Sequence, residues 1–251
     1  MTALSVNLNK IALIRNSREG NYPNIVKHAQ LCIDQGAEGI TVHPRPDQRH
    51  IRPDDVRQLA TLLNDNANVE FNIEGNPFAP VLADYPGFMA LVEETQPDQC
   101  TLVPDGDDQL TSDHGFDLTS SGEALTPIIQ RLKSQGMRVS LFMDPDLEQI
   151  ELAKQVGADR IELYTGPYAD AVKNNQQVET VFQQFYRAAE KAQALHIGLN
   201  AGHDLNLTNL TRFASIPKLL EVSIGHALTV DAINMGLAPA IKAYQRCLGK
   251  H

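Results

Sequence analysis

Two Gly-His pairs, Gly202-His203 after Leu-Asn-Ala and Gly225-His226 after Val-Ser-Ile, stand late in the chain where short apolar runs stop. A strand that ends in Gly-His offers unpaired backbone N–H groups beside an imidazole, which suits a phosphate and a proton transfer. An earlier run stops at His43-Pro44-Arg45, with Arg49-His50 close behind. Two imidazoles and two guanidiniums so near each other make a cationic pocket, Arg forking onto phosphate and His binding or exchanging protons. In Val-Glu-Phe-Asn-Ile-Glu-Gly, Glu70, Asn72 and Glu74 fall at every second position, so one face of a strand carries three polar groups. A carboxylate inside a barrel has a pKa raised by desolvation, which fits acid–base work. Glu162 is a second buried-strand carboxylate, for which an ion pair with a barrel arginine and a catalytic role stand as equal alternatives. Asn7 and Asn9 point the same way at the end of the first run, where Lys10, Arg15 and Arg18 add positive charge; a capped strand with solvated bases is the alternative. Metal is disfavoured: Arg45 fills the second place of a His-x-His pair, and Arg does not ligate metals.

These residues need elements that converge. Eight short runs rich in Val, Ile and Leu are predicted as strands: 4–8, 39–42, 69–73, 99–103, 138–143, 160–164, 197–201 and 221–224. They do not alternate strictly, as expected of parallel strands buried on both faces. Helical spacing lies between them, with Ile25, Ala29, Cys32 and Ile33 on one face and Val56, Leu59, Ala60 and Leu63 on another. Gly36, Gly136 and Gly157 mark a repeated helix-to-strand joint, and Asp144-Pro145 is read as the N-cap and first turn of the helix that Gly157 closes. Eight βα units over 251 residues predict one α/β domain spanning 1–251, a TIM (β/α)8 barrel with parallel strands and extra short helices. The segment after Gly225-His226 reads as a short helix broken at Gly236, the kind whose N-terminus holds phosphate in such barrels. Segments 104–117 and 167–178 read as long loops on the rim, the first as a lid or a surface insertion. His28, His114, His196 and His251 read as structural or solvated.

A net charge of −10 argues against nucleic acid and anionic membrane partners. No apolar run approaches a membrane span, and the start of the chain lacks a signal-peptide pattern. Three scattered cysteines suggest neither disulfides nor a zinc site, so a reduced, cytoplasmic protein is expected. P-loop, dinucleotide and nucleophile-elbow motifs are absent.

The ordered motifs Asn7-x-Asn9-Lys10 … Arg15-Asn16-x-Arg18, ITVHPRPDQRHI, EFNIEGNP, TLVPD, IELYTGPYA, LNAGHDLN and SIGHA together resemble the pyridoxine 5′-phosphate synthase family over essentially the whole chain. The resemblance implies condensation of 1-deoxy-D-xylulose 5-phosphate with 3-amino-2-oxopropyl phosphate, losing phosphate and water, with no metal or redox cofactor. It implies acid–base roles for His43, Glu70 and His203 and a stabilising role for Glu162. Substrate contacts are implied at Arg18, Arg45, His50 and Thr111, and a phosphate site at Gly225 and His226. Homo-oligomers, typically octamers, are implied as well. Many members read Asn-x-Asp-His where Asn7-Leu8-Asn9-Lys10 stands, and Gly where Asp204 stands. Lys10 is then a phosphate-binding cation, while Asp204, unfavourable beside a phosphate, is expected to point away. A Schiff-base aldolase using Lys10 and a non-catalytic sugar-phosphate binder are the competing readings.

Overall fold

The computed structural model describes residues 1–106 and 109–250. In chain order the elements are β1 (Ala3–Asn7), α1 (Asn9–Asn16), α2 (Ile25–Asp34), β2 (Gly39–Val42), α3 (Pro53–Asn64), β3 (Glu70–Gly75), α4 (Phe88–Thr95), β4 (Gln99–Leu102), α5 (Leu118–Ser134), β5 (Arg138–Met143), α6 (Leu147–Gln155), β6 (Arg160–Leu163), α7 (Gly166–Asn174), α8 (Val178–Ala194), β7 (Gly198–Gly202), α9 (Leu210–Phe213), β8 (Leu219–Ile224), α10 (His226–Met235) and α11 (Leu237–Cys247). Among the described residues, eight parallel strands pair in sequence order and β8 closes on β1, so the sheet is a barrel as expected.

The strands alternate more cleanly than their sequences suggest. Leu4, Val6, Ile40, Val42, Phe71, Ile73, Leu141, Ile161 and Val222 are buried within the shell that the helices cover. Ser5, Thr41, Asn72, Gln99, Thr101, Ser140 and Asn200, equally buried, are polar. Their neighbours show that they fill the barrel. Ser5 Oγ and Thr41 Oγ1 lie 2.7 Å apart, and Thr101 Oγ1 donates to Asn72 Oδ1 at 3.0 Å. Nearer the N-terminal mouth, Arg138 Nε donates to Gln99 Oε1 at 2.9 Å and Arg160 Nη1 to Asn200 Oδ1 at 3.2 Å. A barrel interior is ordinarily packed with branched apolar side chains. Here the core lies between sheet and helices, and most of the polar groups inside the barrel satisfy one another, although Ser140 Oγ has no hydrogen-bond partner among the described residues.

The repeated joint is real. Gly36, Gly136 and Gly157 follow the last residues of α2, α5 and α6 with φ of +91°, +89° and +93°, a conformation in which a β-carbon is strained. Two readings need correction. The N-cap of α6 is Asp146, whose side chain accepts from the N–H groups of Glu148 and Gln149; Asp144 instead accepts from Gly115 N–H in the neighbouring loop. Segment 167–178 is mostly helix, α7, which starts at Gly166 and ends with Asn175 in the left-handed region. Within the β4–α5 loop, Asp107 and Asp108 lie outside the described residues, as does His251.

Candidate active site

The strand ends and the loops after them enclose a cavity of about 290 Å³ at the C-terminal mouth of the barrel. Asn7, Asn9, Lys10, His43, Arg45, His50, Glu74, Thr111, Glu162, His203, Asp204, Gly225 and His226 all line it. Twelve of the thirteen are polar or charged, and they come from seven separate βα units, so the closed barrel is what assembles them.

On one flank, the first two units lock together. Asn7 Oδ1 accepts from Asn9 N–H at 3.0 Å, and Asn9 Oδ1 accepts from His43 N–H at 2.9 Å, fixing the β2 end against the start of α1. Burial drives the pKa of His43 well below the ordinary imidazole value, and Arg45, His50, Arg49 and His203 push it further down. His50 falls to about 3, by burial first and then by Arg45 and Lys10. Both rings are therefore neutral near pH 7. His50 Nδ1 accepts from Ile51 N–H at 2.9 Å, so the proton of its neutral ring sits on Nε2, ready to donate to an anion. Arg45 is ion-paired to buried Asp105, and Ser112 Oγ donates to the same carboxylate at 2.6 Å. The loop carrying Thr111 is also tied down by Arg49 Nη1, which donates to Gln109 O at 2.7 Å.

His203 stands on the other flank, in the left-handed region at φ +59°. Its Nδ1 lies 2.8 Å from Asp204 Oδ2 and its Nε2 lies 2.7 Å from Thr111 Oγ1. Asp204 thus turns toward the imidazole instead of away from the site, and that hydrogen bond holds its carboxyl below the usual range. Below His203 lies Glu162, 3 % exposed, with Oε2 lacking a hydrogen-bond partner among the described residues. Burial raises its pKa well above the carboxylate range, with Glu74 and Glu221 adding to the effect, so it holds a proton. Gly202 makes room for it: a β-carbon there meets Glu162 Oε1 at 2.8 Å. Gly225 follows β8 as the N-cap of α10, which His226 opens, and both residues line the cavity at the positive end of that helix.

Three expectations fail. Glu70 is the first residue of β3, level with Gly39 at the start of β2, and it is held at the N-terminal mouth by Arg138. The strand runs on to Gly75, so Glu74, not Glu70, reaches the cavity. Arg18 is exposed beyond the end of α1 and does not line the cavity. Arg15 adds no charge to the site either, being 1 % exposed and bound to Asp55 and to His50 O. Asp204 and Glu74 are the residues that sequence reasoning passed over, although both stood inside motifs already singled out.

Stacking carboxylic acids inside the barrel has a thermodynamic consequence. Burial raises Glu221, beneath the cavity, to about 7, with Arg160 pulling the other way. A carboxyl with a raised folded pKa binds more protons when folded, so it removes stability as pH rises from its unfolded value of about 4.5 toward 7. His43 and His50, depressed by burial, act in the opposite sense and remove stability as pH falls below about 6.5. Denaturant midpoints of Glu221→Gln against the parent therefore show a difference that moves in favour of the variant between pH 4.5 and 7. A constant difference across that range shows that Glu221 titrates normally.

Residues 4–250 match the family described as pyridoxal phosphate biosynthesis protein PdxJ. The chain is 56 % identical over 244 residues to a pyridoxine 5′-phosphate synthase of Xanthomonas campestris pv. campestris, covering 97 % of this chain and 94 % of that one. Identity is 53 % to the enzyme of that name from Xylella fastidiosa, over 97 % and 93 % of the two chains. Among solved structures, the tryptophan synthase alpha chain of Legionella pneumophila superposes with a TM-score of 0.65 at 13 % identity, over 99 % of this chain and 92 % of that one, a likeness of fold alone. Nearly the whole chain is matched on both counts, and it belongs to the pyridoxal phosphate biosynthesis protein PdxJ family.

Proposed function

We propose that the chain forms pyridoxine 5′-phosphate by condensing 1-deoxy-D-xylulose 5-phosphate with 3-amino-2-oxopropyl phosphate, releasing phosphate and water by acid–base catalysis. The observation that carries this reading is one cavity holding two kinds of equipment. Neutral imidazoles and protonated carboxyls are stacked in its floor and walls, and anion-binding groups stand on two flanks. Joining an amine to a ketone, dehydrating, eliminating phosphate and aromatising a ring require several proton transfers without release of intermediates, hence several groups able to exchange protons.

On this reading Arg45, His50 and Lys10 bind one phosphorylated substrate, the guanidinium exchanging Asp105 for phosphate and His50 donating through Nε2. The Gly225-His226 turn and the α10 N-terminus bind the other phosphate. His43, unprotonated by burial, serves as a base, and His203 is the second proton carrier. Glu162, held as a neutral acid, stabilises developing negative charge by donating a hydrogen bond. Thr111 reaches the site through the β4–α5 loop. Glu70 and Arg18 have no part in these steps, since one is engaged with Arg138 at the far mouth and the other faces solvent. The family reading also carries a cytoplasmic homo-octamer, and exposed apolar residues such as Leu13, Ile14, Val230 and Ile233 on α1 and α10 offer surface for assembly.

The test is turnover by metal-free protein supplied with both substrates, following inorganic phosphate and pyridoxine 5′-phosphate absorbance together. The expected result is phosphate and product in equal amounts. Folded protein that releases neither overturns the reading, and reductive trapping at Lys10 with a ketose phosphate revives the aldolase.

A further inference from the structure

We propose that Ser223 is a catalytic hydrogen-bond donor of this site, forming with Glu162 an oxyanion pocket for the ketone oxygen of the ketose phosphate. The assignment rests on the condensation proposed above and adds to it a residue to which that reading gives no role. Ser223 stands one residue before the end of β8, is 5 % exposed and lines the cavity below the Gly225-His226 turn. Its Oγ has no hydrogen-bond partner among the described residues, and neither has Glu162 Oε2. A buried hydroxyl without a partner is costly, so an orphan in a cavity wall is matched to something that enters the cavity.

The neighbours on both sides explain why the hydroxyl stays free. Ser5, level with Ser223 on β1, has its Oγ engaged with Thr41 Oγ1 at 2.7 Å. Gly202, level with Ser223 on β7, carries no side chain. A β-carbon at Gly202 would lie 2.5 Å from Ser223 O and 2.8 Å from Glu162 Oε1, so this bare position sets the β8 serine and the β6 carboxyl about one gap. Glu162 holds its proton there, which makes both orphans O–H donors. The buried acids Glu74, Glu162 and Glu221 make the gap unfit for a phosphate dianion, whereas a neutral ketone oxygen suits two neutral donors. Two residues of chain, roughly 6–7 Å along a strand, separate Ser223 from Gly225. An extended five-carbon ketose phosphate covers such a span from its phosphate to its ketone.

The pocket acts when the amine adds to that ketone. The nitrogen lone pair forms the C–N bond, and the carbonyl π pair moves onto oxygen. The proton that nitrogen sheds ends on the same oxygen as the carbinolamine hydroxyl. Ser223 and Glu162 hold the oxygen by hydrogen bonds while it carries charge and keep their own protons, so nothing beyond the two substrates enters the balance. Donors placed in this way favour the charged oxygen over the ketone it came from.

Ser223→Ala removes an oxygen on which no other group in the fold depends, so the melting temperature is expected at or slightly above that of the parent. The expected fall in kcat is roughly a hundredfold, with affinity for 1-deoxy-D-xylulose 5-phosphate alone, read by calorimetry, within about threefold of the parent. The infrared carbonyl stretch of that substrate, isotope-labelled at the ketone carbon, reads the contact directly. Bound to the parent it is expected below its frequency in water, and bound to Ser223→Ala to move back toward it. Parental kcat in Ser223→Ala overturns the assignment. A carbonyl stretch identical in parent and variant also overturns it and leaves Ser223 holding only a water. So does a variant that melts well below the parent, since Oγ then has a partner within the fold. An inert parent overturns the condensation and this assignment with it, whereas an active parent beside an unimpaired Ser223→Ala overturns the assignment alone.

Discussion

Arg15→Ala is expected to destabilise the fold by about 3–5 kcal/mol, because it strands a carboxylate. Arg15 is the last basic residue of α1 and almost wholly enclosed. Its guanidinium is fully engaged: Nη1 with Asp55, Nη2 with His50 O at 2.9 Å and Nε with Asn16 Oδ1 at 3.0 Å. Asp55 in turn accepts from Arg52 N–H at 2.8 Å, where α3 begins. One side chain therefore ties α1, the segment behind His50 and the start of α3 into a single buried network. Removing it leaves Asp55 buried without its counter-charge, which costs far more than the net worth of the intact pair. In a chain of this length the melting temperature is expected to drop by on the order of 10 °C. Removing Asp55 as well is expected to recover part of that loss, since the double variant buries no lone charge. KM for substrates is also expected to rise, because Arg15 and Asn16 hold the carbonyl of His50 from below. A melting temperature within 2 °C of the parent, roughly what ordinary surface substitutions produce, removes the network from the account of stability.

Arg15 also illustrates what could not be read from the chain. Its neighbours in sequence, Lys10 and Arg18, made it look like one of three cations at a rim, whereas α1 turns Lys10 into the cavity and Arg15 into the interior, and Arg18 stands in solvent beyond the end of the helix. Helical phase separates the first two and the end of the helix the third, and both depend on where the helix starts and stops, which sequence spacing does not fix. The barrel was legible because its signals repeat: a short apolar run, a polar end, an amphipathic segment, a glycine with positive φ. His43, His203 and His226 were legible because each follows a run directly. The choice between Glu70 and Glu74 was not, since both lie on one face of β3 and only the end of the strand decides which reaches the cavity. Reading that strand two residues short exchanged the rim for the opposite mouth. The polar filling of the barrel was hidden for a related reason: a serine or threonine within a Val- and Leu-rich run looks incidental until several strands bring such residues together.

Asp204 was set aside on a sound argument about phosphate repulsion that ignored the neighbouring ring, and His203 and Asp204 together give the other large effect. With Asp204 Oδ2 at 2.8 Å, the Nδ1 of a neutral His203 carries the proton, and the lone pair on Nε2 meets the Thr111 hydroxyl at 2.7 Å. The ring is thereby presented to the cavity in one tautomer, able to take a proton on Nε2 and return it, with the carboxylate steadying the imidazolium between the two steps. His203→Gln is expected to lower kcat by about a thousandfold, within the range for loss of a positioned proton carrier. Asp204→Asn keeps a hydrogen-bonding oxygen beside Nδ1 but removes its charge. With the Asp204 side chain 41 % exposed, solvent weakens that charge. The expected result is therefore a modest fall in kcat, about tenfold, with KM unchanged. Parental kcat in Asp204→Asn means that an aspartate beside the phosphate-binding turn is tolerated without being used.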